Sequence, residues 1–527
     1  MNALSKIASH CPGKGYFITV CLGLILVVYA GAEISFLTTE DLTADEPTHY
    51  TYAIRLLKGN VHKRAYTTDD SKMPVSVLNT IPRVLEQLMH RSLAKNDNGQ
   101  SDTKAGRFIT FLVSLFTLMI VFRWAKEWYG PRGGFFSMAL SALCPNLLAH
   151  SGLVTTDAYS ALIFLLVLYT LWKYLSSGQN RHFIAFAVWV GIAQITKQTF
   201  THLYICIPIV VFLYKRINQQ PVLWGNILKK LSLFFVINIV IINCGFLFYR
   251  TGLSLNDYVF TSKLFATLQS HSGILGNIPL PLPEPYLTGL DTVKYFDELG
   301  GGYPGSSFGL VTILGNHKQG ASYWFYYPVT LLFKTPLPSI LFFVLAVRGI
   351  LRRSNRSFFK KNEILVLLPC LYFLAAMSFF NHIQSGVRHL IFLYPPVYIL
   401  CGRLLKYPLS NIQKTGFIIL SGWLIASVGS YYNCYISYTN ELITDKKNAF
   451  QIVGGSNLDF GQGGSAAAAY IRDHPDVQFA TAKPGKGKFL IPVGKYEDNF
   501  GEHTYNWLQH YPPIAQVHHC YLLVEVK

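Results

Sequence analysis

Residues 15–46 read GYFITVCLGLILVVYAGAEISFLTTEDLTADE, and this stretch decides how the chain is built. Gly15–Leu37 is apolar, carries one charge (Glu33) near its far end, and is long enough to cross the ~30 Å hydrocarbon core of a bilayer. It is too long for the core of a cleavable leader, and no small-residue cleavage site precedes the polar region, so it reads as a retained anchor. The chain then delivers two adjacent carboxylates, Asp45 and Glu46, to the membrane surface. Carboxylates at the mouth of a spanning helix supply chemistry that a bilayer lacks. They point to an enzyme acting on a lipid-borne substrate.

The apolar blocks recur. The 527 residues are 51% hydrophobic and only 14% charged, against roughly 25% charged in soluble domains. The blocks predict an α-helical polytopic membrane protein with about eleven transmembrane helices: Gly15–Leu37, Arg107–Trp124, Gly134–Ala149, Ala158–Tyr174, Phe183–Thr199, Leu203–Tyr214, Leu231–Tyr249, Pro338–Val347, Ile364–Phe380, Leu390–Leu404 and Thr415–Tyr432. The eighth extends upstream toward Tyr326 through a polar break at Lys334-Thr335-Pro336. The net charge of +18 does not imply nucleic acid, because its cations fall in alternate loops. With the N-terminus cytoplasmic, the inner loops hold Lys126, Arg132, Arg181, Lys215, Arg216, Lys229 and Lys230, then Arg348 to Lys361, then Arg403, Lys406 and Lys414, with almost no acids. An odd number of spans leaves the C-terminus outside.

Two outer loops, 38–106 and 251–325, are large. The first contains an amphipathic stretch, Val75–Leu93, suited to the interface. The second is rich in Pro and Gly (Ile278–Tyr286 and Gly300–Ser307) and reads as a structureless functional cover. Residues 1–432 form the membrane domain. Residues 433–527 turn water-soluble and predict a small extracytoplasmic α/β domain, helical at Ser465–Asp473 and extended at Lys488–Val493 and Cys520–Val526. Nine cysteines show no C-x-x-C spacing, and only Cys434 and Cys520 are placed to pair on the outer side. Sixteen histidines show no metal motif. No cofactor is predicted, and a divalent metal stays open.

Asp157, in SGLVTTDAYSALIFLL, opens a spanning helix on the side that also carries Asp45. Helix capping is the bland alternative for both acids. Two acids brought to one face by different helices suit a base that takes a proton from an acceptor hydroxyl. Lys72, Lys197, Lys334, Arg388 and His389 lie on the same side beside Pro, Gly or helix ends, where cations suit phosphate oxygens or serve as interfacial anchors.

The order DEPTHYTYAIRLLKGN, SKMP, PNLLAHSGLVTTDAYSALIFLLVLYTLWKYL, GIAQITKQT, YYPVTLLFKTPLP and SGVRHLIFLYPPVYIL resembles the GT-C membrane glycosyltransferases of family 39, the protein O-mannosyltransferase and aminoarabinose transferase type. The segment YISYTNELITDKKNAFQIVGGSNLDFGQ is similar to the ending of a bacterial subgroup. The resemblance covers most of Asp41–Leu400. It implies an inverting glycosyltransferase in the bacterial cytoplasmic membrane that takes its sugar from a polyprenyl-phosphate carrier. Asp45 falls on the family's catalytic base and Asp157 on its second acid, with Glu46 in support. Lys72 falls on the family's Lys-Pro-Pro motif, in which Met73 replaces the first Pro. Arg388 and His389 fall on the late Arg-His motif that contacts donor phosphate. Sugar and acceptor (protein, lipid or glycan) stay open. The other classes are a lipid-linked sugar transporter or flippase, which would favour inverted repeats and mid-helix charges, and a membrane scaffold with an outer binding domain.

Overall fold

A computed structural model describes residues 12–63, 72–89, 100–220, 224–300, 310–319, 322–352, 356–499 and 501–527. The apolar runs are helices because a backbone in lipid must satisfy its own hydrogen bonds. In chain order they are α1 (Pro12–Thr39), α2 (Glu46–Leu57), α3 (Ile81–Leu88), α4 (Gln100–Ala142), α5 (Pro145–His150), α6 (Asp157–Ser177), α7 (Asn180–Gln194), α8 (Leu203–Ile217) and α9 (Trp224–Gly245). Then come α10 (Lys263–His271), α11 (Glu284–Glu298), α12 (Tyr326–Lys334), α13 (Leu337–Leu351), α14 (Ile364–Phe379), α15 (Tyr394–Cys401), α16 (Asn411–Gly429) and α17 (Gly464–Asp473). Among the described residues, seven helices are long and apolar enough to cross a membrane, and the bent pair α12–α13 makes an eighth.

Each of the eleven expected segments overlaps a helix, and the lower count has physical causes. Two expected segments share α4, where Gly130 takes φ 83° just before Pro131. The Phe122 and Phe135 rings lie 5.0 Å apart, whereas a straight helix would separate them by about 20 Å. The chain therefore reverses at Gly130 into a helical hairpin. Helix α7 has only 15 residues. The segment expected at Leu390–Leu404 is assembled from a 3₁₀ turn, α15 and a second 3₁₀ turn. The polar break near Lys334 is a 111° bend between α12 and α13; Pro336 and Pro338 flank the start of α13, where a missing N–H costs least.

Helix α6 runs from Asp157 to Ser177 and so fixes two ends of the bundle. At its far end, about 24 Å from Asp157 at helical rise, Lys173 pairs with Glu127 at 2.5 Å. Nearby, Glu363 accepts from Tyr129 (2.7 Å) and Arg403 (3.2 Å). There Gly133 and Gly402 meet backbone to backbone: a Cβ on Gly133 would stand 2.7 Å from the Gly402 carbonyl oxygen. Only residues without side chains allow that approach.

The segment 251–325 corrects the expectation of a structureless cover. It contains α10 and α11 and, further on, a hairpin of β1 (Leu310–Ile313) and β2 (Asn316–Gln319). Residues 301–309, most of the expected Gly300–Ser307 run, lie outside the described residues, as do residues 90–93 of the amphipathic stretch. Asp291 of α11 accepts from Thr261 N and Ser262 N, and Glu298 from Lys263 N and Leu264 N, so α11 supplies the acceptors for the start of α10.

The tail carries α17 and a sheet of β3 (Val477–Phe479), β4 (Gly487–Pro492), β5 (Pro513–Val517) and β6 (Tyr521–Val526), ordered β3-β4-β6-β5. Only β3–β4 is parallel. Phe489, Ile491 and Val524 of this sheet share one buried apolar cluster with Ile313, Tyr326 and Phe392. The loop after α1 pairs with the tail: Asp41 N donates to the Gln462 carbonyl and Ala44 N to the Phe460 carbonyl. Cys434 and Cys520 are free thiols.

Candidate active site

Asp45 stands at the position that would cap α2, yet its side chain makes no capping bond. Its Oδ2 instead accepts from Arg388 Nη1 at 2.5 Å. Burial pushes the Asp45 carboxyl up, but Arg388, Lys72 and His49 together outweigh burial and hold it below the usual carboxylate range. His49, one turn further along α2, is buried and has its Nδ1 3.3 Å from Ser76 Oγ. Burial and then Lys72 hold this imidazole well below its ordinary value.

Arg388 owes its position to a glycine and to the tail. Gly386 takes φ 87°, which L side chains rarely adopt, and a Cβ there would meet Ser456 Oγ at 2.8 Å. Tyr326 Oη accepts from Gly386 N, and Asn457 Oδ1 from Val387 N. The Phe460 ring lies 4.4 Å beneath the Arg388 guanidinium.

Asp157 begins α6. Its Oδ1 accepts from Lys197 Nζ at 2.7 Å, and its Oδ2 lies 3.7 Å from His150 Nδ1. Lys197 sits in the break that follows α7. Asp45, Asp157, Lys197, Arg388 and His389 all line one cavity of about 560 Å³. Four cavity groups thus form two acid–cation pairs, contributed by four separate segments of chain. Thr155, Thr156, His49 and Gln198 add polar lining, Leu264, Phe265, Leu290 and Val293 come from α10 and α11, and Met377 and Phe380 from the end of α14. At the rim, Asp297 accepts from Lys294 Nζ and His382 N, both at 2.6 Å. Among the described residues, no group of three or more His, Cys, Asp or Glu side chains is placed to hold a metal.

Three expected site residues do not line the cavity. Glu46 is fully buried. It accepts from Arg107 Nε (2.8 Å) and Nη2 (2.7 Å), from Thr43 N, and from Val154 N. Arg107 also donates to the carbonyls of Leu37, Glu40 and Asp41. All five guanidinium donors are thus used. The pair binds the loop that carries Asp45 to the loop that carries Asp157, so Glu46 positions the site and does not touch its contents. Lys334, at the α12–α13 bend, is 1% exposed and donates to the carbonyls of Ile436 and Asn457. It fastens the tail residue that in turn holds Val387. Lys72 is buried and lies close enough to bias Asp45 and His49, outside the lining.

Sequence reasoning missed His49, Arg107, His150, Asp297 and Asn457. His49 had a legible signal, since residues i and i+4 share a helix face. Arg107 was visible only as the charged first residue of an apolar run.

A family model described as dolichyl-phosphate-mannose-protein mannosyltransferase matches residues 99–242. No curated protein matches the chain. Among solved structures, ArnT from Cupriavidus metallidurans in the apo state superposes with a TM-score of 0.50 at 13% identity, covering 97% of this chain and 98% of that one. The same ArnT bound to undecaprenyl phosphate gives 0.49 at 13% identity, covering 95% and 97%. The oligosaccharyltransferase AglB from Archaeoglobus fulgidus, in complex with an inhibitory peptide and a dolichol-phosphate, gives 0.46 at 13% identity, covering 83% of this chain and 58% of that one. The protein is a polytopic helical membrane protein with the GT-C fold.

Proposed function

We propose that the protein is an inverting glycosyltransferase that moves a sugar from a polyprenyl-phosphate carrier to an acceptor hydroxyl on the outer face of the bacterial cytoplasmic membrane. One observation carries this reading: Asp45 and Asp157 reach the same cavity from different helix mouths, each paired with a cation. The family model over residues 99–242, described by a dolichyl-phosphate sugar, supports the donor class.

The paired geometry suggests an order of events. A donor phosphate competes with Asp45 for Arg388 and with Asp157 for Lys197, and both cations then stabilise the phosphate charge as the glycosidic bond breaks. Losing Arg388 removes the strongest charge that depresses the Asp45 carboxyl, so Asp45 becomes a better base when the donor is in place. The acceptor hydroxyl attacks the anomeric carbon from the face opposite the phosphate, and its proton passes to Asp45. Phosphate is a good leaving group, so no general acid is needed. Helices α10 and α11 keep water from the donor.

The test is turnover of a polyprenyl-phosphate sugar by the purified protein, read as release of lipid phosphate. Asp45→Asn is expected to abolish transfer while the protein still folds. Equal turnover in the two proteins would remove Asp45 from the role of base.

A further inference from the structure

A second cluster of reactive groups lies where the tail meets the end of α1. Cys434 follows α16, and its Sγ lies 3.5 Å from His518 Nδ1. His518 Nε2 lies 2.6 Å from Glu40 Oε1. A sulfur, an imidazole and a carboxylate in series reproduce the arrangement of nucleophile, base and orienting acid. From this geometry we infer that Cys434, His518 and Glu40 form a reactive-thiol site that exchanges with disulfides of peptide type. It is separate from the cavity and does not depend on the transferase reading.

Several features support the assignment. His518 and His519 form the β5–β6 turn with φ of 51° and 55°, a left-handed conformation that non-glycine residues seldom hold. In that turn His518 contacts both Cys434 and Glu40. The thiol contact and then the Glu40 contact push the His518 ring up to about 10, which favours the imidazolium that a thiolate needs beside it. His519 packs at a tilt against Tyr431, with ring centroids 4.4 Å apart, and the titratable groups nearby include Asp41, Arg107, Tyr435, Lys446, Asp459 and Cys520. Glu40 Oε2 is buried with no hydrogen-bond partner among the described residues, and so is Asn433 Oδ1 beside the thiol. Cys434 itself is partly exposed.

The step balances without a further reagent. The Cys434 sulfur, as a thiolate paired with the His518 imidazolium, attacks one sulfur of the disulfide. A new S–S bond forms as the old one breaks, and the departing thiolate takes the proton from His518. Cys434 is oxidised and the leaving thiol is reduced.

The experiment exposes the full-length protein in detergent to glutathione disulfide at pH 7 and follows the Cys434 adduct by peptide mass. A synthetic peptide of residues 429–439 serves as the unstructured reference. Cys434 in the protein is expected to react at least ~10-fold faster than in the peptide, with most of that gain lost in His518→Gln and part of it in Glu40→Gln. A rate equal to that of the peptide overturns the inference. So does a fast rate that neither substitution changes. The wild-type comparison stands even where a variant fails to fold.

Discussion

Arg388 Nη1 and Asp45 Oδ2 lie 2.5 Å apart although 343 residues separate them in the chain. The pair joins the mouth of α1 to the loop before α15 and sets the charge of the site. Because Asp45 is held low, it stays ionised throughout pH 5–8, and any stability it contributes fades only as pH falls below the ordinary carboxylate range. In Arg388→Gln the acid limb of the kcat/KM profile should move upward, and kcat/KM should fall by about 10²–10³. An acid limb that stays in place would separate Asp45 from Arg388.

Glu46 and Asp45 are neighbours with different tasks, and substitution should separate them. Glu46→Ala leaves Arg107 charged and unpaired in a site that is 1% exposed. The expected loss is about 3–5 kcal/mol, seen as an early thermal transition in detergent. Asp45→Asn should melt close to wild type. Matching melting curves for Glu46→Ala and wild type would remove the clamp.

The His518–Glu40 contact gives the attachment of the tail a pH window. The ring is raised in the folded protein, so its contribution is complete below the ordinary histidine value near 6.5 and is lost as pH rises toward about 10. Corrected for the intrinsic rise of amide exchange with pH, protection of the β5–β6 turn should fall across that interval and stay constant in His518→Gln. Equal pH dependence in both proteins would assign the change to another group.

Orientation has its own test. Positive charge in alternate loops predicts an outer tail, so a reporter fused after Tyr438 should be active outside the cytoplasm. A cytoplasmic signal would reverse the assignment of faces.

The acids were legible because they stand at helix mouths, where an apolar run stops and a carboxylate follows. Neither makes the capping bond offered as the alternative. The tail elements were legible too: Ser465–Asp473 is α17, and the two expected strands are β4 and β6. Glu46 and Lys334 could not be read as structural, because their partners lie far off in sequence, at Arg107 and Asn457. The helices over the cavity were hidden for the same reason. Helix α10 begins on carboxylates supplied by α11, and a Pro- and Gly-rich stretch gives no local sign of that help.

Gly133 and Gly402 touch with nothing between them, and the Glu363 cluster locks the neighbouring helices. That floor packs its helices backbone to backbone at the end of the bundle away from the cavity. Under the proposed reading, loaded and spent carrier would occupy the one cavity that holds both acid–cation pairs, so arrival and departure compete, and turnover should slow as used carrier accumulates.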